Sequence, residues 1–278
     1  ELNPDFIKAH LYLSSLLIKL KELDQAEIYI RKAIKLKPDL AEAHSNLGSI
    51  LKDLGKLKEA EISMRKAIEI KPDFADAYYN LGLILRNRGN LQQAKLYTEN
   101  AIKYESNCAN YYYSQGVILR DLGELKEAEI FTRKAIKIKP DYAIAYSNLG
   151  SILKDLDKEI QALDYYLIAI KINSKEPIYF ELIANLIRDS DPSKFNKIKL
   201  RNVLTFLLES DNIDHRVLFK AFNNLYEDKL IHFLKIFEEH FPKDEIFKSF
   251  MNDKLVIKAM KKIIFRSLEW EIFLKSIR

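Results

Sequence analysis

The segments DLGKLKEAEISMRKAIEIKPD (residues 53–73) and DLGELKEAEIFTRKAIKIKPD (residues 121–141) are near copies of one another. They start 68 residues apart, which is twice 34, and four prolines keep the same register: Pro4, Pro38, Pro72 and Pro140. An internal period of this length indicates a stack of similar supersecondary units, each too small to bury its own apolar face. Such stacks usually present binding surfaces, and we expect this chain to do the same.

Each unit is predicted to be a pair of antiparallel helices. In the unit from Ala41 to Pro72, the first half, AEAHSNLGSILKDLG, carries apolar or small residues at helical spacing. Gly55 is the last residue of this half, as expected just past the end of a helix. The second half, KLKEAEISMRKAIEIK, has its own apolar stripe, and Pro72 ends it. Neither helix can bury its stripe alone, so neighbouring units must stack on one another.

Two sets of small residues make this pattern more specific. The first half of each unit has one small residue where two helices would cross closely: Ser14, Gly48, Gly82, Gly116 and Gly150. The second half has two alanines: Ala26 and Ala33, Ala60 and Ala67, Ala94 and Ala101, Ala128 and Ala135, Ala162 and Ala169. These positions resemble the motif of the tetratricopeptide repeat family, abbreviated TPR. The resemblance implies an all-α fold in which the repeats wind into a right-handed superhelix, or α-solenoid.

The TPR-like region covers residues 1 to about 174. It divides into five units at about 7–38, 41–72, 75–106, 109–140 and 143–174. Residues 175–190 read as a half-repeat or capping helix, with Ala184 at the small position. Residues 191–278 read as a small irregular helical domain, with helices expected at about 194–209, 214–225, 227–240, 243–250, 253–266 and 267–277.

The resemblance implies that the first helices line a concave groove that binds extended peptides. A polar row is expected to point into this groove: Tyr12, Asn46, Asn80, Ser114 and Asn148. A basic row accompanies it: Lys52, Arg86, Arg120 and Lys154. Tyr79 and Tyr113 add aromatic contact surface. The alternative interpretation is that both rows only solvate the helices, because duplication alone can repeat a residue.

The asparagines in the polar row carry the more specific prediction. An amide donates and accepts hydrogen bonds at once, so a column of asparagines can hold a peptide backbone without reading its sequence. In this respect the chain resembles the asparagine-lined arrays that precede O-linked N-acetylglucosamine transferase domains. The clamp that other members use for acidic C-terminal tails needs lysines and an asparagine where this chain has Leu11, Ser45 and Ser49. The sequence therefore disfavours that ligand.

A second electropositive feature is the segment DKLVIKAMKKIIFR at residues 253–266. Its cations fall on one stripe of the predicted helix: Lys254, Lys258, Lys261, Lys262 and Arg266. A basic amphipathic helix can lie on an anionic membrane or contact nucleic-acid phosphates. It is more often a core helix with a solvated face, and nucleic acid and membrane are disfavoured as partners here.

Catalysis, cofactors and metals are not expected. The seven glycines occur only at the crossing position and in the turn between helices, so no Gly-rich loop is available for a phosphate or a dinucleotide. His232 and His240 stand about 12 Å apart along one predicted helix, too far to share a metal ion. The lone Cys108 fits a reducing compartment, and a cytoplasmic location is expected.

The sequence thus predicts a non-catalytic protein interaction module that binds an extended peptide or a partner helix in its groove. One alternative is a substrate-recruiting region of a larger methyltransferase or glycosyltransferase, because the C-terminal part resembles the helical connector of bacterial methyltransferase fusions. Another is an adaptor that uses the 253–266 helix. The opening ELNPD matches the end of a repeat, KLKPD at 35–39, so upstream repeats are expected. Exposed repeat ends could also support self-association.

Overall fold

The structure is a computed structural model that describes residues 4–211, 213–237, 245–263 and 268–276. All regular secondary structure in these residues is helical. The predicted all-α fold of the α-solenoid type is confirmed. The chain divides into two compact units, Glu1–Ala145 and Tyr146–Arg278. The finer division into five repeats, a half-repeat and a C-terminal domain stays a prediction.

The first unit is a succession of helix pairs. Its helices are α1 (Pro4–Lys19), α2 (Leu23–Leu36), α3 (Ala41–Asp53), α4 (Leu57–Ile70), α5 (Ala75–Asn87), α6 (Leu91–Tyr104), α7 (Ala109–Asp121) and α8 (Leu125–Ile138). Each odd-numbered helix packs on the even-numbered helix that follows it, and α2, α4 and α6 pack on the next pair. We call the odd-numbered helices first helices and the even-numbered ones second helices. The pairs therefore stack as the sequence period predicts.

The small residues of the motif allow the two helices of a pair to approach closely. All eight motif alanines of the first unit are fully buried. A Cβ atom added to Gly82 would lie 2.5 Å from Thr98 Oγ1 and 3.2 Å from the Ala94 carbonyl oxygen. Thr98 already donates its hydroxyl hydrogen to that carbonyl, at 2.9 Å. A larger residue at Gly82 would therefore require Thr98 or the second helix to shift.

The turn between paired helices uses a left-handed residue at a constant position. Gly55, Gly89 and Gly123 have φ angles of 75°, 80° and 78°. Lys21 occupies the equivalent place in the first pair with φ of 62°. A side chain with a Cβ atom is strained in this region, whereas glycine is not. The chain geometry of the turn therefore persists where the sequence has lost its glycine.

The second unit contains most of α9 (Ala143–Asp155), then α10 (Glu159–Ile172), α11 (Pro177–Asp189), α12 (Lys197–Glu209), α13 (Phe219–Phe237), α14 (Glu245–Met251), α15 (Lys254–Lys262) and α16 (Leu268–Ser276). Short 3₁₀ turns precede α12 and α13, at Pro192–Lys194 and His215–Leu218. In the turn of the fifth pair, Asp157 has φ of 57°. It takes the place that glycine has in other pairs.

One helix boundary expected in this unit was wrong. The helices expected at 214–225 and 227–240 are instead a 3₁₀ turn, capped by Asp214, and the single helix α13. Nothing between residues 219 and 237 breaks a helix, because the segment has neither glycine nor proline. Tyr226, at the expected break, is buried inside the unit.

The core of α13–α16 is aromatic. It is built from fully or almost fully buried rings: Phe222, Tyr226, Phe233, Phe250, Trp270 and Phe273. The Trp270 ring centroid lies 5.3 Å from that of Phe222, and Trp270 Nε1 donates to Asn223 Oδ1 at 2.6 Å. These contacts join helices that are far apart in sequence.

A polar cluster fastens α12 and α13 to the start of α15. Arg201 of α12 donates to both carboxylate oxygens of Asp253, each at 2.6 Å. The Tyr226 hydroxyl donates to Asp253 Oδ2 at 2.9 Å, and Asp253 caps α15 by accepting from the Leu255 backbone N–H at 2.9 Å. Burial alone raises the pKa of the Asp253 carboxyl group. The bonds from Arg201 and Tyr226 outweigh that effect, so this pKa lies below its usual value.

Candidate functional site

The outward surface of α3, α5 and α7 carries the predicted groove residues of the first unit. Tyr79 and Arg86 of α5 are seven residues apart and therefore lie on one side of the helix, with Leu83 between them. All three are partly exposed, as is the adjacent Asn80. We call this surface the first-helix face, defined by Asn46, Lys52, Tyr79, Asn80, Leu83, Arg86, Tyr113, Val117 and Arg120.

Aromatic rings on this face pair between one helix pair and the next. The Tyr79 ring of α5 lies 4.9 Å from the Tyr111 ring of α7, measured between centroids. The Tyr113 ring lies 5.4 Å from that of Tyr142, just after α8. Tyr79, Tyr113 and Tyr142 are partly exposed, whereas Tyr111 is buried. The first-helix face therefore has a floor of packed tyrosines.

Hydrogen bonds hold these tyrosines in place. The Tyr111 hydroxyl donates to Asp76 Oδ1 at 2.6 Å, and the Tyr142 hydroxyl donates to Asn110 Oδ1 at 2.7 Å. Burial raises the pKa of Tyr142 to about 12, with a further contribution from Tyr113. Burial and the bond to Asp76 also raise the pKa of Tyr111. Both hydroxyl groups therefore stay protonated and act as donors at neutral pH.

The polar row differs in accessibility from one unit to the next. Tyr12 is 72% exposed, Asn46 is exposed and Asn80 is partly exposed, but Ser114 is only 4% exposed. Ser114 Oγ donates to the Tyr79 hydroxyl at 3.4 Å. In the second unit, Asn148 is only 9% exposed. The amides that a ligand can reach in the first unit are therefore those of Asn46 and Asn80.

The basic row takes part in ion pairs. Arg86 Nε lies 2.6 Å from Asp121 Oδ2, on the next first helix and 35 residues further along the chain. Lys52 Nζ lies 3.5 Å from a carboxylate oxygen of its neighbour Asp53. Arg120 is partly exposed. The charge of Arg86 is therefore largely balanced within the fold.

The same arrangement recurs in the second unit. Lys154 Nζ lies 2.9 Å from Asp189 Oδ2, and Arg188 Nε lies 2.8 Å from Asp189 Oδ1. Hydrogen bonds from Arg188 and Lys154 lower the pKa of Asp189. Arg188 stands 34 residues after Lys154, so it extends the basic row, although sequence reasoning stopped at Lys154. The 34-residue spacing was the signal that could have identified it.

The second predicted site, the basic stripe of 253–266, is shorter than expected and partly paired. The helix is α15, Lys254–Lys262, with Leu255, Val256 and Ala259 buried. Lys258 forms an ion pair with Glu209, and Lys262 Nζ lies 3.1 Å from Asp211 Oδ1. Lys254 and Lys261 are exposed, and Arg266 lies outside the described residues.

Residues that sequence reasoning missed on the first-helix face are mainly apolar or aromatic. Leu83 and Val117 lie between the tyrosine and the cation of their helices, and both are partly exposed. Tyr111 and Tyr142 complete the ring pairs. Positions 83 and 117 are again 34 residues apart, but their apolar side chains looked like core residues. Their exposure became evident only in the folded units.

The described part of the chain lacks two other kinds of feature. Among those residues, no group of three or more histidine, cysteine, aspartate or glutamate side chains could hold a metal ion. No helix there has both the length and the apolar character needed to cross a bilayer.

Three family models for this repeat match the sequence. A TPR repeat model matches residues 48–89, and two tetratricopeptide repeat models match residues 79–143 and residues 7–40 and 143–176. Together the matches cover more than half of the chain. No curated protein matches at a significant level.

Solved structures of repeat proteins resemble the fold. The TPR protein YrrB, described as having an unusual peptide-binding site, aligns with a TM-score of 0.52 and 24% identity, covering 62% of this chain and 89% of YrrB. MamA aligns with a TM-score of 0.53 and 26% identity, covering 58% and 95%. Pseudomonas aeruginosa PilF has a TM-score of 0.61 at 14% identity, covering 90% and 98%.

Proposed function

The chain belongs to the tetratricopeptide repeat family, and we propose that its first-helix face binds an extended peptide segment of another protein. The family and the fold identify a protein interaction module in general, and members of the family are generally non-catalytic. The finer proposal concerns the place and the form of the ligand. It rests on the residues of α3, α5 and α7.

The observation that carries the proposal is the juxtaposition of accessible amides with fixed aromatic rings. Asn80 is next to Tyr79, whose ring packs on Tyr111 at 4.9 Å. Asn46 is one unit earlier on the same face and is exposed. The amides can exchange hydrogen bonds with a peptide backbone, while the rings supply apolar contact area with little loss of side-chain freedom. An extended backbone needs the amides, because its own N–H and C=O groups are unpaired, and its side chains can pack on the rings.

The cations contribute little to this proposal. Arg86 is paired with Asp121, so an acidic ligand would have to compete with a partner at 2.6 Å. Exposed or partly exposed ion pairs contribute little free energy, roughly 0–1 kcal/mol. We therefore assign backbone binding to Asn46 and Asn80 and apolar contact to Tyr79 and Tyr113, and we assign no ligand contact to the basic row.

Selection from a random peptide display library, with the full chain as bait, tests this function. Enriched peptides are then titrated in solution against a variant carrying Asn46→Leu and Asn80→Leu. A matched control carries Gln92→Leu and Gln93→Leu, two exposed amides on the second helix α6. We expect the first variant to weaken binding by about tenfold, the loss of one to two net hydrogen bonds. The control should bind as the wild type does. Equal weakening by both variants would place the site elsewhere.

A further inference from the structure

The apolar content of the first-helix face narrows the class of peptide that it fits. Tyr79 and Leu83 on α5 are followed one unit later by Tyr113 and Val117 on α7, and all four are partly exposed. Tyr142 extends this strip through its ring contact with Tyr113. The strip therefore offers the same pair of surfaces, an aromatic ring and an aliphatic side chain, twice in succession.

A charged ligand would gain little binding free energy on this strip. Arg86 borders it but forms an ion pair with Asp121, at 2.6 Å. Burial raises the pKa of Tyr142 to about 12, so this hydroxyl group brings no charge to the strip. A neutral ligand with apolar side chains avoids the cost of desolvating a charge against these groups.

The spacing of the repeated surfaces matches one kind of backbone better than others. Helices α5 and α7 contact one another through Tyr79 and Tyr111, and packed helices lie about 8–10 Å apart. A polyproline II helix has three residues per turn and rises about 3.1 Å per residue, so one turn spans about 9 Å. The same side of such a peptide therefore faces the protein at each successive first helix. A β-strand alternates its sides every residue, so after three residues it presents the opposite side.

We propose that the first-helix face of the first unit binds a proline-rich, uncharged segment in the polyproline II conformation. This inference rests on the proposed peptide-binding function. Proline rings pack on Tyr79 and Tyr113, and the intervening carbonyl groups, which have no internal partner in this conformation, accept hydrogen bonds from Asn80. The rings that receive them are held in place by the bonds of Tyr111 to Asp76 and Tyr142 to Asn110.

The test uses the full chain and three fluorescent peptides, each about four polyproline II turns long. One repeats Pro-Pro-Ala, one repeats Ser-Thr-Ala and one repeats Glu-Ser-Ala. Binding is measured by fluorescence anisotropy with the wild type, a Tyr79→Leu/Tyr113→Leu variant and an Arg86→Gln variant. Tyr104→Leu is the matched control, because Tyr104 is 43% exposed and lies on the second helix α6.

We expect the proline-rich peptide to bind at least about tenfold more tightly than the other two, and the double variant to lose about tenfold. Tyr104→Leu should remain within about twofold of the wild type. Equal binding of the Ser-Thr-Ala peptide overturns the proline class but leaves peptide binding intact. Preference for the Glu-Ser-Ala peptide, lost with Arg86→Gln, also overturns it. If none of the three binds, the proline class is wrong. The library selection then shows whether peptide binding fails too.

Discussion

Helices α2–α8 and helices α12–α16 form their buried cores in different ways. The first group repeats a single solution, with buried alanines, a close crossing at Gly82 and a left-handed turn residue in every pair. The second group has no period, and the core of its helices α13–α16 contains large rings gathered around Trp270. Small residues let backbones pack against one another at short range, so the pattern can be copied. Large rings need one particular set of neighbours, and that set occurs once.

The difference extends to the polar contacts. In the first unit, Arg86 reaches the next first helix at Asp121, and Tyr111 reaches back to Asp76, in each case 35 residues away. These contacts follow from the period. Around Asp253, by contrast, Arg201 and Tyr226 converge from sites 52 and 27 residues away, and no other part of the sequence repeats them. One region is therefore stabilised by many equivalent neighbours and the other by a few unique ones.

The largest effect is expected from removing the ring at the centre of the second group. Trp270→Ala should lower the free energy of unfolding by about 3–5 kcal/mol, because a fully buried ring and its bond to Asn223 are both lost. Urea unfolding followed by circular dichroism measures the loss. Hydrogen exchange should show it in α13 and α16, while α3–α7 keep their protection.

Ile272→Ala on the same helix is the control, since that side chain is 47% exposed and its loss should change stability by no more than about 0.5 kcal/mol. A large loss of protection in α3–α7 after Trp270→Ala would contradict the contrast between a local, repeated core and a unique aromatic one.

A smaller effect, dependent on pH, is expected at Asp253. Its carboxylate is only 13% exposed and receives two bonds from Arg201, although Arg201 itself is 41% exposed. Asp253→Asn should therefore cost about 1–2 kcal/mol at neutral pH. The bonds from Arg201 and Tyr226 lower the pKa of the Asp253 carboxyl group in the folded state. The carboxylate therefore stabilises the fold at pH values above the pKa that the same group has in the unfolded chain.

This contribution to stability disappears as the pH falls through the pKa of Asp253 in the folded state. The wild type and the Asn variant should thus differ above about pH 5 and converge as acid is added. Urea midpoints measured along a pH series check this prediction. A difference that does not depend on pH would show that shape, and not charge, makes the Asp253 cluster stable.

The smallest effect sharpens the comparison from the repeat side. Lys21 has a φ angle of 62° at the place where three other pairs have glycine. Lys21→Gly should raise the free energy of unfolding by about 1 kcal/mol, because it relieves left-handed strain. Gly55→Ala is the reciprocal variant and should lower stability by about the same amount, because alanine is strained at a φ angle of 75°. No atom lies within 4 Å of the added Cβ, so a steric clash should not add to the loss. If both changes have the same sign, the turn is not equivalent between pairs.

Much of the fold could be predicted from local pattern. Helical periodicity, the crossing glycines and the turn glycines act over distances of a few residues, so a single sequence contains them. The helix boundary expected near residue 226 was wrong, because α13 runs without a break from Phe219 to Phe237. Tyr226, at the expected boundary, is buried and donates a hydrogen bond to Asp253, 27 residues further along the chain, and local sequence pattern does not predict such a contact.

The candidate site was predictable in part, for the same reason. Its members Asn46, Asn80, Tyr79 and Tyr113 were identified by their repeated positions on the first helices. Their relative accessibility was not, because Asn46 is exposed whereas Ser114 is buried under equivalent sequence spacing. The tyrosine floor was missed since a ring pair such as Tyr113 with Tyr142 depends on how one unit seats on the next.

The sequence by itself determined the period of this protein, the pairing of its helices and the family to which it belongs. These properties follow from short-range sterics and from apolar spacing within about one unit. Only the tertiary structure decided that Arg86 is matched to Asp121, that tyrosines floor the first-helix face, and that Trp270 is the centre of the second core. Such contacts depend on which side chains meet when separate helices pack, and the meeting point of two helices is set by the whole folded unit.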